Sequence, residues 1–247
     1  MNDSPLQGNS FQIFPVSETA AMVQFYNESR EQTHVKVRTL SLVLDQSPFV
    51  GMIEYVPGFT SLTVYYDPFM LRKNKDKDIS TFEMVKELLE DKMKQGETLS
   101  LPVNKLVRIP VVYGGEYGPD LKEVADYNHL TENDVIQKHS DVTYLVYMIG
   151  FAPGFPYLGG MDQDIAAPRK QTPRTSVPAG SVGIAGSQTG VYSLTTPGGW
   201  QIIGRTSKPL FQLKEENPSL LQMGDYVQFY PISAEEYESG KGDFVDV

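Results

Sequence analysis

The sequence predicts an α+β protein in two parts. A small α+β N-terminal domain covers residues 1–100, and a β-barrel or sandwich domain covers residues 101–247. Three observations carry this reading. Short strands alternate with capped helices through the first third of the chain. Helical periodicity stops near residue 140. From 142 to 230 the chain is rich in Gly, Pro, Thr and aromatics, the composition of short strands joined by long, shaped loops. The boundary falls near residues 97–105.

Phe11–Phe14 and Ala21–Phe25 read as strands. Ser29-Arg30-Glu31-Gln32 is a capping box, in which the cap hydroxyl and the fourth side chain each satisfy a backbone N–H. It opens a helix with Val37, Leu40 and Leu44 on its apolar face. Met52–Val56 and Ser61–Tyr66 form a hairpin across Pro57-Gly58, because proline then glycine is turn chemistry. Arg72–Asp78 is a mixed-charge, solvated loop. Ser80-Thr81-Phe82-Glu83 opens a second helix burying Phe82, Val85 and Leu89, and Gly96 caps its end. The order suggests an antiparallel sheet, with a split βαβ arrangement as one option.

Val107–Val112 is strand-like. Helices follow at Asp120–Tyr127 and Thr131–His139, with boxes Asp120/Glu123 and Thr131/Asp134. The remaining strands are Tyr144–Ile149, Val182–Ala185, Val191–Leu194, Trp200–Gly204 and Tyr226–Tyr230.

Composition excludes several functions. The net charge of -10 repels phosphate backbones and anionic lipid, so neither nucleic acid nor membrane is an expected partner. With no cysteine there is no disulfide, thiolate nucleophile or Cys-based zinc site. Met1–Ser10 has no apolar segment of the secretory kind, and a soluble, cytoplasmic chain is the expectation. The uncharged run Tyr144–Met161 is broken by Pro153, Pro156 and four glycines, so it is not read as a membrane helix. No P-loop and no G-x-S-x-G elbow occur. His34, His129 and His139 have no metal-ligand spacing, and no metal is expected. All three are read as ordinary helix-face or helix-end residues; His139 ends a helix, where a cation is favoured.

Candidate chemistry concentrates in Gly150–Arg205. Gly150 to Gly160 holds four glycines, two prolines and three aromatics in eleven residues. Such a stretch reads as one shaped loop rather than a regular element. Phe151, Gly154, Phe155 and Tyr157 either wall a pocket or plug a barrel end. Pro168–Thr175 carries Arg169, Lys170 and Arg174 in an otherwise acidic chain. Arg169 and Lys170 are read as solvated turn residues. Arg174, held between prolines in a stiffer segment, either contacts an anion or does not. Glycine at every third position of Pro178–Gly186 reads as close backbone packing in a barrel strand. Trp200 follows the tight turn Pro197-Gly198-Gly199. Gln201 and Arg205 share strand parity, so they make a polar site on one face or simply a wet one.

These segments also carry a resemblance. Tyr147–Gly160, Thr172-Pro173-Arg174, Val177–Gly186 and Thr196-Pro197-Gly198-Gly199-Trp200 resemble the allophanate hydrolase subunit 1 family. Tyr113–Leu121, Val56-Pro57-Gly58-Phe59 and Tyr66-Asp67-Pro68 fit it too, and the similarity runs over about residues 10–230. The resemblance implies a small α+β domain followed by a cyclophilin-like β-barrel. The family includes the B component of bacterial ATP-dependent 5-oxoprolinase and the Kip-type inhibitor of a sporulation histidine kinase. It is also similar to one half of the carboxyltransferase region of urea carboxylase.

What it implies first is a subunit, inactive alone, of an enzyme that opens 5-oxoproline to glutamate with ATP. The partners implied are an allophanate hydrolase subunit 2 type protein and a third subunit, with ATP bound at, or shared with, one of them. The alternative is a binding protein that inhibits a histidine kinase; a biotin-using carboxyltransferase-like subunit is weaker, with no biotin-attachment segment in the chain. No catalytic residue carries over by resemblance. Arg174 and Arg205 are candidates to neutralise phosphate or carboxylate charge.

Overall fold

The structure is a computed structural model and describes residues 10–26, 29–73 and 79–239. The chain divides into two compact units, Met1–Val103 and Asn104–Val247. Residues 74–78 of the expected charged loop and residues 1–9 of the N-terminal segment lie outside the described residues.

In the first unit, β1 (Phe11–Ser17) pairs with β2 (Ala20–Phe25). The Ser29 box forms as expected and opens α1 (Arg30–Gln46). The Gln32 N–H donates to Ser29 Oγ at 3.2 Å, and the Ser29 N–H donates to the Gln32 side chain at 3.1 Å. The hairpin of β3 (Met52–Pro57) and β4 (Ser61–Tyr66) turns at Gly58, whose N–H donates to Ser61 O at 2.7 Å. A short α2 (Pro68–Arg72) follows that the sequence reading does not include. Its signal is present nonetheless: Asp67 caps the Phe69 N–H at 2.8 Å, and Pro68 sits in the first turn. The Ser80–Glu83 box then opens α3 (Thr81–Gly96).

The sheet order is β1-β2-β4-β3, antiparallel at every pairing, so the split βαβ option does not form. Val37, Leu40, Leu44, Val85 and Leu89 are buried with Val23, Leu62 and Val64. Phe82 is only half-buried. Gly96 is not a left-handed cap either. It is the last helical residue, and a Cβ there would sit 2.7 Å from Thr39 Cγ2 of α1, so it serves close helix packing.

In the second unit, β5 (Leu106–Tyr113) leads to α4 (Leu121–Tyr127) and α5 (Glu132–Ser140). Then come β6 (Thr143–Ile149), β7 (Pro156–Gly159), a turn of 3₁₀ helix at Gln163–Ile165 and β8 (Arg174–Val177). The chain continues through β9 (Ser181–Ala185), β10 (Gln188–Val191), β11 (Thr196–Gly198), β12 (Gln201–Arg205), β13 (Tyr226–Pro231) and α6 (Ala234–Glu238).

Seven strands close a barrel in the order β10-β7-β6-β13-β5-β12-β9, and β8 and β11 form a separate ribbon. β5 and β13 are parallel; the other pairings are antiparallel. Ile109, Val111, Val146, Leu158, Val182, Ile184, Ile203 and Phe229 fill the interior, with Leu121, Val124 and Val135 of α4 and α5 joining that core.

Three expectations change here. Pro156–Gly159 is a barrel strand, not part of a loop. Its glycine has a steric cause: a Cβ at Gly159 would overlap the Tyr147 ring. The strand expected at Val191–Leu194 lies at Gln188–Val191, because the chain must turn after Val191 for Tyr192 to reach the aromatic cluster described below. The Asp120/Glu123 box does not form; Asp120 makes no capping hydrogen bond, since other donors claim its carboxylate.

Candidate functional site

Strand alternation sorts β9 into two faces. Val182 and Ile184 belong to the barrel core, so Ser181, Gly183 and Ala185 face outward. The outer face is built round an aromatic cluster in which Phe155, Tyr192 and Trp200 pack with Val177, Ala185 and Ile202, and Tyr157 lies against it. Phe155 stands edge-on to Tyr157, Tyr192 and Trp200, with centroids at 5.0, 5.3 and 5.4 Å. Edge-to-face geometry sets positive ring edges on negative faces.

Glycines admit these rings. A Cβ at Gly190 would lie 3.1 Å from both Phe155 and Trp200, and one at Gly183 would lie 3.1 Å from Trp200 Cβ. Phe151 completes the cluster, 5.4 Å from Phe155. It holds φ 69° and is 64% exposed, a strained and solvent-facing aromatic. Gly154, at φ 74°, makes the turn behind it. Arg169 lies 6.0 Å over the Trp200 ring. Burial pushes the Tyr157 and Tyr192 hydroxyls up, so both remain protonated donors at neutral pH.

Beside the cluster is an ion-pair node centred on Asp120, a residue read from sequence only as a helix cap. Arg174 Nη2 donates to Asp120 Oδ1 at 2.7 Å, Lys170 Nζ donates to the same oxygen at 3.0 Å, and the Ile202 N–H donates to Oδ2 at 2.7 Å. Lys170 also reaches Glu123 at 2.8 Å. Burial alone would raise the Asp120 pKa, but the bonds from Arg174, Ile202 and Lys170 outweigh it and the net shift is downward. Lys170 is therefore not a solvated turn residue; its own N–H is fixed to Gly199 O at 2.8 Å, which aims the side chain at Asp120. Arg174 ties β8 to the start of α4.

Gln201 is buried, and its Nε2 donates to Pro168 O at 3.0 Å. Arg205 does not share its face. A bulge between Ile202 and Gly204 sets Gln201 opposite Ile184 but Arg205 opposite Ser181, so the shared parity expected from sequence is broken. Arg205 instead joins the outer face and lies 5.8 Å over the Tyr117 ring. The structure thus gathers Phe151, Gly154, Phe155, Tyr157 and Trp200 at the aromatic cluster, with Arg174 and Gln201 in the Asp120 node and Arg205 two strand steps from Gly183.

His139 is not a helix-end cation. It is fully buried and stacked on Phe229 at 4.7 Å. Burial lowers its pKa to about 3. Tyr113 Oη lies 2.8 Å from its Nδ1, and its Nε2 lies 2.9 Å from Thr189 Oγ1, which itself donates to Gly183 O. These contacts assign the neutral ring with its proton on Nε2.

Among the described residues, no group of three or more His, Asp or Glu could hold a metal ion, and no helix is long and apolar enough to cross a membrane.

The closed barrel that carries the aromatic face and the Asp120 node is of the carboxyltransferase-domain type. The chain belongs to the family described as carboxyltransferase domain, subdomain C and D, which it matches over residues 11–221. It is 48% identical over 232 residues to the B component of 5-oxoprolinase from Bacillus subtilis, covering 94% of this chain and 97% of that protein. It is 40% identical over 217 residues to the same component from Haemophilus influenzae, covering 88% and 96%. The crystal structure of TTHA0988 superposes with a TM-score of 0.73 at 33% identity, over 87% of this chain and 40% of that longer one.

Proposed function

We propose that this chain is the B-type subunit of a 5-oxoprolinase, an enzyme that opens the lactam of 5-oxoproline to give glutamate with ATP cleavage. The observation that carries the reading is the 48% identity reaching across 97% of the Bacillus subtilis protein. The histidine-kinase inhibitor reading is not favoured, because relatives matched along nearly their whole length carry the oxoprolinase name.

The chain acts with a subunit 2 type partner and a third subunit. It carries no P-loop, so ATP is bound on, or shared with, a partner. Phe151, 64% exposed at the edge of the aromatic cluster, offers an apolar ring face suited to a small cyclic ligand. No residue is assigned to bond making.

The test is ATP-dependent glutamate release by the chain co-expressed with both partners, wild type against Phe151→Gly. Activity should require all three proteins. Phe151→Gly relieves a left-handed strain of about 1–2 kcal/mol and should not lower Tm, while kcat/KM falls about tenfold for lack of one aromatic wall. An assembled complex that releases no glutamate would sink the proposal and send the search to kinase autophosphorylation.

A further inference from the structure

The two edges of the first unit's sheet are finished differently. The order β1-β2-β4-β3 leaves β1 and β3 with one unpaired side each. Open edges invite pairing with other chains, and folds blunt them with charge, proline and bulges. β3 carries all three: Glu54 at mid-strand, Pro57 at its end and a bulge between Met52 and Glu54. β1 has nothing of the kind before Pro15, where its bulge begins. The stretch Ser10–Phe14 holds no charge, no proline and no bulge.

Hydrogen-bond parity shows what that stretch presents. The Tyr26 N–H donates to Ser10 O at 2.9 Å, which makes Gln12/Gln24 and Phe14/Met22 the bonded pairs of the β1–β2 ladder. The Phe25 N–H agrees, since it turns away from β1 to donate to Thr60 O at 2.9 Å. The N–H and C=O of Phe11 and Ile13 therefore point out from the sheet edge. Among the described residues nothing bonds them.

A cavity of about 700 Å³ opens beside the Phe11 end of this edge. It is lined by Phe11, by Val35 and Leu40 of α1, by Met93 of α3, and by Leu99 and Leu101. Val35 is 47% exposed at its rim. An open ladder is satisfied by extended backbone, and an apolar cavity beside it takes a side chain of the same segment.

We propose that β1 is a docking edge, on which an extended segment of a partner subunit adds as a further strand and seats an apolar side chain between α1 and α3. A second copy of this chain is a poorer occupant. Pro15 has no N–H to offer, so two β1 strands would pair around Phe11–Ile13 alone, far short of the roughly 20–30 residues a side of a stable dimer. A subunit already held in a complex by other contacts need add only this much. The partner is one of the two subunits of the complex proposed above, so the inference rests on that reading.

The experiment is hydrogen–deuterium exchange over residues 10–14, on the full chain alone at low and high concentration and on its complex with both partners. Glutamate release is measured on the same complex. The Phe11 and Ile13 amides should exchange without protection in the free chain and slow by about tenfold or more in the complex. Val35→Lys, at an exposed helix position, should leave Tm unchanged and weaken assembly about tenfold. If the complex releases glutamate while these amides exchange as in the free chain, the docking edge is overturned and the proposed function stands. Protection in the free chain also overturns it: at high concentration alone the occupant is a second copy, and at both concentrations it is the chain itself. Protection in a complex that releases no glutamate keeps the docking edge and removes the function. If no complex forms, both fall.

Discussion

Asp120 takes a bond from a guanidinium, an ammonium and a backbone amide while almost wholly buried. Its loss leaves Arg174 without a carboxylate while Lys170 keeps Glu123, so Asp120→Asn should destabilise the second unit by about 2–4 kcal/mol, read as a shift of the urea midpoint. A midpoint within experimental error of wild type would show that solvent already screens the node. The carboxylate's lowered pKa gives the same node an acid dependence: its contribution holds above the ordinary carboxylate range and is lost as pH falls through the folded value. Sequence reading misses this residue because an aspartate before a helix is usually its cap. The useful signal is Asp120 and Glu123 sharing a helix face, with Lys170 and Arg174 spaced four apart to meet them.

At the scale of elements, three of the four expected boxes form and each starts its helix at the expected residue. Capping is local chemistry, which is why these starts were legible. The end of α4 shows a less favourable local choice. His129 sits at φ 58°, with Leu130 N–H bonded to Ala125 O at 2.9 Å, the geometry that normally recruits glycine after a helix. His129→Gly should raise stability by about 0.5–1 kcal/mol, measured by thermal melts. No gain would mean that the imidazole contributes enough there to offset its backbone strain. The bulge in β12 was not legible, since its cause lies across the strand: a Cβ at Gly204 would crowd Val111 and Val112 of β5, so the strand shifts there with a glycine.

For the whole molecule, each unit hides one neutral histidine. Burial, helped by Arg38, lowers His34 to about 4 in the first unit; burial lowers His139 to about 3 in the second. Both values lie below the unfolded value of about 6.5. The unfolded chain therefore binds more protons, and stability is fully present above pH 6.5 and declines as pH falls toward these values. Urea midpoints at neutral and mildly acidic pH should separate clearly for wild type and less for His139→Gln, even though that variant starts lower. An identical pH response in the variant would remove His139 from the account.

The sequence by itself determined the two-part plan, three capped helices and the Met52–Tyr66 hairpin, because patterning, capping and turn chemistry act within a few residues. Only the tertiary structure decided that Pro156–Gly159 closes a barrel, that Arg174 is bound by Asp120, and that Arg205 stands with Ser181 rather than with Gln201. Each depends on which strand lies opposite and on where a bulge resets the alternation. Side chains far apart in sequence compete for one partner, and that competition is resolved only when the chain closes on itself.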